Sequence, residues 1–105
     1  MRYEVILAPE AVEDLEALRA FERAAVKDAM EMHLRHEPTK TSRSRIKKLR
    51  GMIRPQYRLL VDGHRVFYDV TDAGVEVLAV VPKSKAREWL ERYGQRAAES
   101  EESDS

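Results

Sequence analysis

The sequence contains no cysteine. This excludes disulfides, a thiol nucleophile and a thiolate zinc site, and it fits a cytoplasmic location. Glycine and proline are scarce, four of each in 105 residues, so each one is informative about turns. No stretch approaches the roughly 18 consecutive apolar residues of a membrane span, and no membrane partner is expected. The opening segment MRYEVILAPEAVEDLE has neither the apolar run nor the cleavage site of a signal peptide. No repeat of fixed period is visible. Net charge is absent too, because 19 basic and 19 acidic residues cancel. The length and the 43% apolar content suit one domain with a single modest core.

A further absence is local. Residues 40–65 hold one acid, Asp62, against nine bases: Lys40, Arg43, Arg45, Lys47, Lys48, Arg50, Arg54, Arg58 and Arg65. The flanking segments 1–37 and 66–105 each carry five bases and nine acids. Strand arginines can simply guard a solvated sheet edge. Solvated faces usually mix signs, however, so the segregation points to a phosphate-rich or acidic partner.

Hydrophobic periodicity orders the elements. Tyr3–Leu7 reads as a strand. Pro9 suits the first turn of a helix, although Ala8 is a poor cap. Val12, Leu15 and Leu18 then mark an apolar helical stripe with acids near its positive end. A second helix is predicted over 21–35, with Phe21, Ala25, Ala29 and Met30 or Met32 as its buried stripe, and Pro38 ends it. The period then changes. Residues 42–49 read as an extended basic segment broken by Arg50-Gly51, and 56–61, 64–71 and 75–81 read as three strands. Pro82 stops the last, and a short helix over 84–93 presents Ala86, Trp89, Leu90 and Tyr93. The order β-α-α-β-β-β-β-α predicts an α+β fold: a small, twisted, mainly antiparallel sheet with two N-terminal helices on one face and a short C-terminal helix. The domain spans 1–94. Residues 95–105 compose an acidic tail expected to be disordered. Two roles are open to it: a solubilising appendage, or a counter-charge whose Glu99, Glu101, Glu102 and Asp104 fold back onto the basic face.

Turn chemistry assigns the sheet faces. A two-residue Asp62-Gly63 turn pairs Val61 with His64, Leu60 with Arg65, Leu59 with Val66, Arg58 with Phe67 and Tyr57 with Tyr68. Tyr57, Leu59, Val61, Val66, Tyr68 and Val70 then share a core face, while Arg58, Leu60, Arg65, Phe67 and Asp69 share the other. A three-residue loop at 72–74 pairs Thr71 with Val75 and puts Arg65 beside Val81. Lys83 and Lys85 follow just beyond, so these bases and the segment 43–48 are expected to form one basic surface.

The succession KKLRG at 47–51, YRLLVDGHRVFYDV at 57–70 and VEVLAVVPKSKAREWL at 75–90 resembles the RelE/ParE superfamily of toxins from type II toxin–antitoxin operons. The resemblance covers nearly the whole chain and lies closer to the RelE branch. It implies a twisted sheet with two helices on one face and a concave functional face opposite. RelE-like members are ribosome-dependent endoribonucleases that cut messenger RNA in the A site without a cofactor. ParE-like members share the fold and poison DNA gyrase, and a degenerate RNA- or antitoxin-binding module is a third reading. Either toxin would be held by a cognate antitoxin in a hetero-oligomer. Residue by residue, Arg65 matches the arginine of the family's Arg-Val-Phe-Tyr-like strand, Arg58 the base after the preceding tyrosine, and Lys83 the basic turn after the last strand. Leu60 and Ser84 stand where bases are frequent, with Lys85 and Arg87 near. Trp89 and Tyr93 are both candidates for the family's C-terminal aromatic.

The catalytic group implied is therefore Arg65 and Arg58 as phosphorane stabilisers, with Lys83 and Lys85 as proton carriers whose pKa crowded cations would depress. Arg43, Arg45, Lys47, Lys48, Arg50 and Arg54 would grip RNA, and Phe67 would offer a stacking surface. His64 falls on the core face and reads as structural. His33 and His36 are spaced as metal ligands can be, but they lack a third ligand, so no metal is expected.

Overall fold

A computed structural model describes residues 2–97. The elements are β1 (Val5–Leu7), α1 (Pro9–Glu16), α2 (Ala20–Ala29) running into a π-helical turn (Met30–Leu34), β2 (Ile46–Lys48), β3 (Met52–Arg54), β4 (Tyr57–Val61), β5 (His64–Thr71), β6 (Gly74–Pro82), a 3₁₀ turn (Lys83–Lys85), α3 (Ala86–Tyr93) and β7 (Gln95–Arg96). Five strands form the main sheet in the order β1-β6-β5-β4-β2, and β3 pairs with β7 apart from it. Only the β1–β6 pair is parallel. The α+β class and the helix–sheet layering agree with the sequence. The basic segment is shorter than expected, with its strand confined to Ile46–Lys48, and β3 and β7 are additional. Gln95 and Arg96, assigned above to the tail, are thus paired strand residues; 98–105 lie outside the described residues.

The β4–β5 hairpin has the register read from Asp62-Gly63, from Tyr57 opposite Tyr68 to Val61 opposite His64. Asp62 takes the left-handed φ of 51° that such a turn needs. The second hairpin departs from expectation. Thr71 pairs with Gly74 across a two-residue turn, and a bulge between Phe67 and Tyr68 then makes Leu78 the extra residue of β6. The two one-residue differences cancel, and Arg65 still lies opposite Val81. Gly74 is required here: its φ is 135°, and a Cβ would strike the Glu4 carbonyl just before β1.

The core lies between the helices and one sheet face. Leu59, Val61, Val66, Tyr68, Val75, Val77 and Val80 meet Ala11, Leu15, Val26, Met30 and Leu34, with Tyr57 and Val70 packed against them. Each fully buried Val or Leu contributes about 1.5–3 kcal/mol. The buried Tyr68 hydroxyl donates to the Pro38 carbonyl at 2.6 Å, which anchors the loop after the helices.

The buried stripe of α2 agrees with the predicted one at Ala29 and Met30 and differs elsewhere. Val26, Met30 and Leu34 face the core, whereas Phe21 is 68% and Met32 69% exposed, and Ala25 is exposed as well. The rotation is set by Arg23, whose guanidinium donates to the Leu15 carbonyl at 3.0 Å and the Leu18 carbonyl at 2.8 Å. Leu15 is in the last turn of α1 and Leu18 in the link to α2, where carbonyls leave the helical ladder. Arg23 precedes Val26 and Met30 by three and seven residues, so capping α1 turns that stripe inward.

Candidate nucleic-acid interface

The second sheet face is divided. One half is covered by α3: Phe67, Ala79, Val81 and Ala86 form a small second core, with Leu49, Trp89 and Leu90 packed on it. The indole of Trp89 stacks on the Phe67 ring at 4.9 Å and 9°. Phe67 is fully buried and presents no surface on which a base could stack, so that assignment is withdrawn. The face alternation was right, but α3, with its apolar Ala86, Trp89 and Leu90, closes over this half of the face.

The other half is basic. Lys47 of β2 lies opposite Arg58 of β4, and Arg58 lies opposite Phe67. Arg65 is paired with Leu60, which makes it the diagonal neighbour of Arg58 on the same face. Arg45 joins the row, since its carbonyl accepts the Leu60 N–H at 2.8 Å and its Nη1 donates to the Leu60 carbonyl at 3.4 Å. The Lys83 N–H donates to the Gly63 carbonyl at 2.7 Å. That bond ties the basic turn after β6 to the turn that carries Arg65, with the Lys83 and Lys85 side chains exposed. Strands distant in sequence thus bring Lys47, Arg58 and Arg65 onto one surface, with Lys83 at its end and Arg45 at the β2 edge, where it also borders His33 on the helix side.

Arg65 is 9% exposed. Its Nη1 donates to the carbonyls of Asp62 at 3.1 Å and His64 at 3.0 Å, which fixes the guanidinium against the turn. Arg58 is half-buried, and its Nε is buried without an acceptor. Burial, and then the charge of Arg65, hold its pKa below the ordinary arginine value. Among the described residues neither arginine has a carboxylate within ion-pair distance. Two adjacent guanidiniums, one carrying a buried donor without a protein acceptor, present the donor set that suits an anion.

The remaining expected bases divide. Lys48 turns to the helix side of β2, where its ammonium lies 5.9 Å from the Tyr57 ring centroid. Arg43 lies in an exposed bend, and Arg50 in the exposed turn before β3. Arg54 is committed to acids, pairing with Asp69 at 3.4 Å and Glu76 at 3.8 Å. The Gln56 N–H donates to Asp69 at 2.7 Å and the Gln56 side chain accepts from Val70 N–H at 3.0 Å. The sequence reading put Asp69 on this face and did not use it; an acid there was the available signal that a nearby base would be paired. His64 pairs opposite Val61 and Pro82, off the basic face. His33 is half-buried, and burial and then Arg45 lower its pKa. Among the described residues no three His, Asp or Glu side chains gather as a metal would require.

A separate groove lies elsewhere and is acidic on balance, with three carboxylates against Arg54. It is about 670 Å³, runs between α1 and α3, and is lined by Glu10, Glu13, Asp14, Leu78, Trp89 and Tyr93 among others. The Asp14 carboxylate accepts the Val80 N–H at 2.9 Å. This closes a β6 edge position beyond the reach of β1, whose pairing ends at Val77. Burial pushes the Asp14 carboxyl up, against the pull of that hydrogen bond.

Comparison with known proteins agrees with the architecture. The toxin of the RelBE2 toxin–antitoxin complex from Mycobacterium tuberculosis superposes with a TM-score of 0.64 at 25% identity, over 78% of this chain and 99% of that one. A mutant of the E. coli toxin RelE in the free state gives 0.62 at 22%, over 89% and 99%. The archaeal RelE–RelB complex from Pyrococcus horikoshii gives 0.60 at 24%, over 81% and 99%. No curated protein matches significantly. The family model for the ParE toxin of the type II toxin–antitoxin system parDE matches residues 5–87, from the first strand into the last helix. Since that match takes in both the helix pair and the whole basic face, the chain belongs to the ParE toxin family of type II toxin–antitoxin systems.

Proposed function

We propose that this toxin is a ribosome-dependent messenger-RNA endoribonuclease whose basic face takes the scissile phosphate. The observation that carries this reading is the pair Arg58 and Arg65, adjacent on one face, without a carboxylate partner among the described residues, with Arg58 Nε buried and unsatisfied. An in-line attack by a ribose 2′-hydroxyl on the neighbouring phosphorus forms the 2′-O–P bond as its proton passes to water or a lysine, breaks the bond to the 5′-oxygen, which takes up a proton and leaves as a hydroxyl, and yields a 2′,3′-cyclic phosphate. Charge builds on the non-bridging oxygens as the new P–O bond forms and the old one breaks. The two guanidinium forks would receive that charge, and Arg65, held by the Asp62 and His64 carbonyls, is positioned before substrate arrives. Arg45 and Lys47 would hold the flanking backbone, with Lys83 and Lys85 at the rim nearest Arg65. A protein of this kind works in the cytoplasm and is silenced by a cognate antitoxin bound as a hetero-oligomer. The M. tuberculosis and P. horikoshii relatives are themselves seen in toxin–antitoxin complexes.

A second reading, a non-enzymatic gyrase poison, is favoured by two observations. The matching family model is that of ParE, and Leu60 places an apolar side chain between Arg45 and Arg65 on the face that would act. Primer extension on a message under translation in a cell-free extract separates the two. Wild-type protein should leave cuts at A-site codons, and Arg65→Ala and Arg58→Met should each reduce them about 100-fold. Two variants are used because Arg65→Ala also removes the turn contacts. Growth arrest with gyrase-dependent DNA breaks and no message cuts would overturn the nuclease reading.

A further inference from the structure

The site that waits for a phosphate has a candidate occupant in the same chain. We propose that the acidic segment after Ala97 is an intramolecular ligand of the basic face, with its carboxylates competing with nucleic acid for Arg58 and Arg65. The competition rests on the nucleic-acid reading above; the contact does not.

Three observations meet here. The first is the point of departure. Gln95 and Arg96 are pinned antiparallel to β3, and the Ala97 N–H donates to the Gly51 carbonyl at 2.8 Å. Since β7 runs toward the Gly51 end of β3, the chain leaves the described residues beside Arg50, next to the end of β2. Leu49, which packs on the same small core as Trp89 and Leu90, marks this as the border between the α3-covered half of the face and the basic half.

The second is charge. Residues 98–105 carry Glu99, Glu101, Glu102 and Asp104 and no base. Of the nine bases between 40 and 65, only Lys40 and Arg54 have a carboxylate within 4 Å among the described residues. The surface beside the exit is therefore the one with unmet positive charge, and within it Arg58 carries the buried donor without an acceptor.

The third is reach. Eight residues span up to about 26 Å when extended. From Gly51 back along β2 to Lys47 is about 13 Å, and each step to β4 and then β5 adds about 4.8 Å. Carboxylates at 101–104 can therefore lie over Arg58 and Arg65, and a tether this short gives an effective concentration in the millimolar range. Such a ligand is weak in absolute terms and salt-sensitive. It would discriminate against stray RNA while yielding to a message held by the ribosome.

The absence of cysteine makes the contact directly measurable. A nitroxide attached through Ser103→Cys on the full chain should broaden the backbone amides of Lys47, Arg58, Leu60 and Arg65 at about 50 mM salt. It should leave those of α2 sharp and lose its effect near 0.5 M salt. Neutralising the segment (Glu99→Gln, Glu101→Gln, Glu102→Gln, Asp104→Asn) should abolish the broadening. Binding of a labelled single-stranded RNA, followed by anisotropy, should tighten about fivefold in the neutralised variant at the lower salt, and the difference should close at the higher one. Broadening that is absent, or that survives salt and neutralisation, overturns the contact. Equal RNA affinity of the two forms overturns the competition even where the contact holds. If neither form binds RNA while the broadening behaves as described, the contact stands and the nuclease reading fails.

Discussion

Arg54 and Arg58 are four residues apart and serve opposite ends of the same sheet face. Arg54 is 51% exposed, yet it is held by the carboxylates of Asp69 and Glu76. Arg58 is half-buried with no carboxylate in reach and with an Nε that meets no acceptor. A fold that only needed solubility would place its unpaired cations in water and its paired ones inside, because an unpartnered charge is costly to bury. Here the arrangement is reversed. One end of the face is finished by the chain itself, and the other is the end at which the proposed function puts an anion from outside. On that reading stability is given up at the Arg58 end, as is common where a site is prepared for a charged ligand.

The same substitution at the two positions should have effects of opposite sign. Arg54→Met strands Asp69 without its cation and should lower stability by about 1–2 kcal/mol, a fall of several degrees in Tm for a domain this size, with message cleavage retained. Arg58→Met keeps the aliphatic stem and removes an unpaired charge. It should leave stability unchanged or raise it by up to about 1 kcal/mol, the gain being limited because part of the guanidinium is wetted, while cleavage falls about 100-fold. Urea titration beside the primer-extension assay checks both. Equal destabilisation by the two variants would show that Arg58 is a structural residue, and the contrast would collapse.

A finer comparison uses adjacent lysines on one strand. Lys47 lies on the basic face opposite Arg58, and Lys48 on the far side over Tyr57. If single-stranded RNA binds that face, Lys47→Ala should weaken binding a few-fold and reduce the slope of log K against log salt by about 0.7, the value for one phosphate contact. Lys48→Ala should leave the slope unchanged. The composition is identical in the two variants, so only the alternation of the strand can separate them.

How much of this was legible in the sequence varies with the physics involved. The face assignment of β4 and β5 follows from one Asp-Gly turn, because a two-residue hairpin admits a single register and side chains alternate strictly. Arg65 lies beside Val81 by two offsets that cancel: Gly74 belongs to the strand rather than the loop, and Leu78 is an extra bulge residue. Bulges carry little local signal, and this one is partly fixed from outside the strand, by Asp14 on the neighbouring helix. Helix α2 failed in part, for a different reason. Ala29 and Met30 of the predicted stripe do face the core, but Phe21, Ala25 and Met32 do not, and Val26 and Leu34 take their place; the tertiary bonds of Arg23 favour that rotation. Phe67 was correctly placed on the second face, yet its burial depends on the angle at which α3 returns. Facing was predictable from local chemistry, whereas covering was not.

Proton concentration reaches one end of the face and spares the other, which gives the smallest and most specific of these effects. Arg58 is displaced downward from the arginine value, but it stays cationic at any pH the fold would experience. Asp69 is displaced upward from 3.8, chiefly by burial, against the pull of the Gln56 N–H and of Arg54. A carboxyl whose pKa is raised on folding binds its proton in the folded state before the unfolded chain does. In the window between 3.8 and the raised value the folded state therefore holds more protons, and the Asp69 contribution to stability falls as pH rises through it. Asp14 is raised as well, so the wild-type curve alone would mix the two. The difference between wild type and Asp69→Asn isolates the nearer group. In urea titrations from pH 7 downward, wild type should gain on the variant as the window is entered, with the gap levelling off below 3.8 once both states of the chain are protonated. If wild type instead loses ground on acidification, the ion pair with Arg54 outweighs burial. The finished end of the face would then owe its stability to charge pairing, and the loss from Arg54→Met would exceed the range given above.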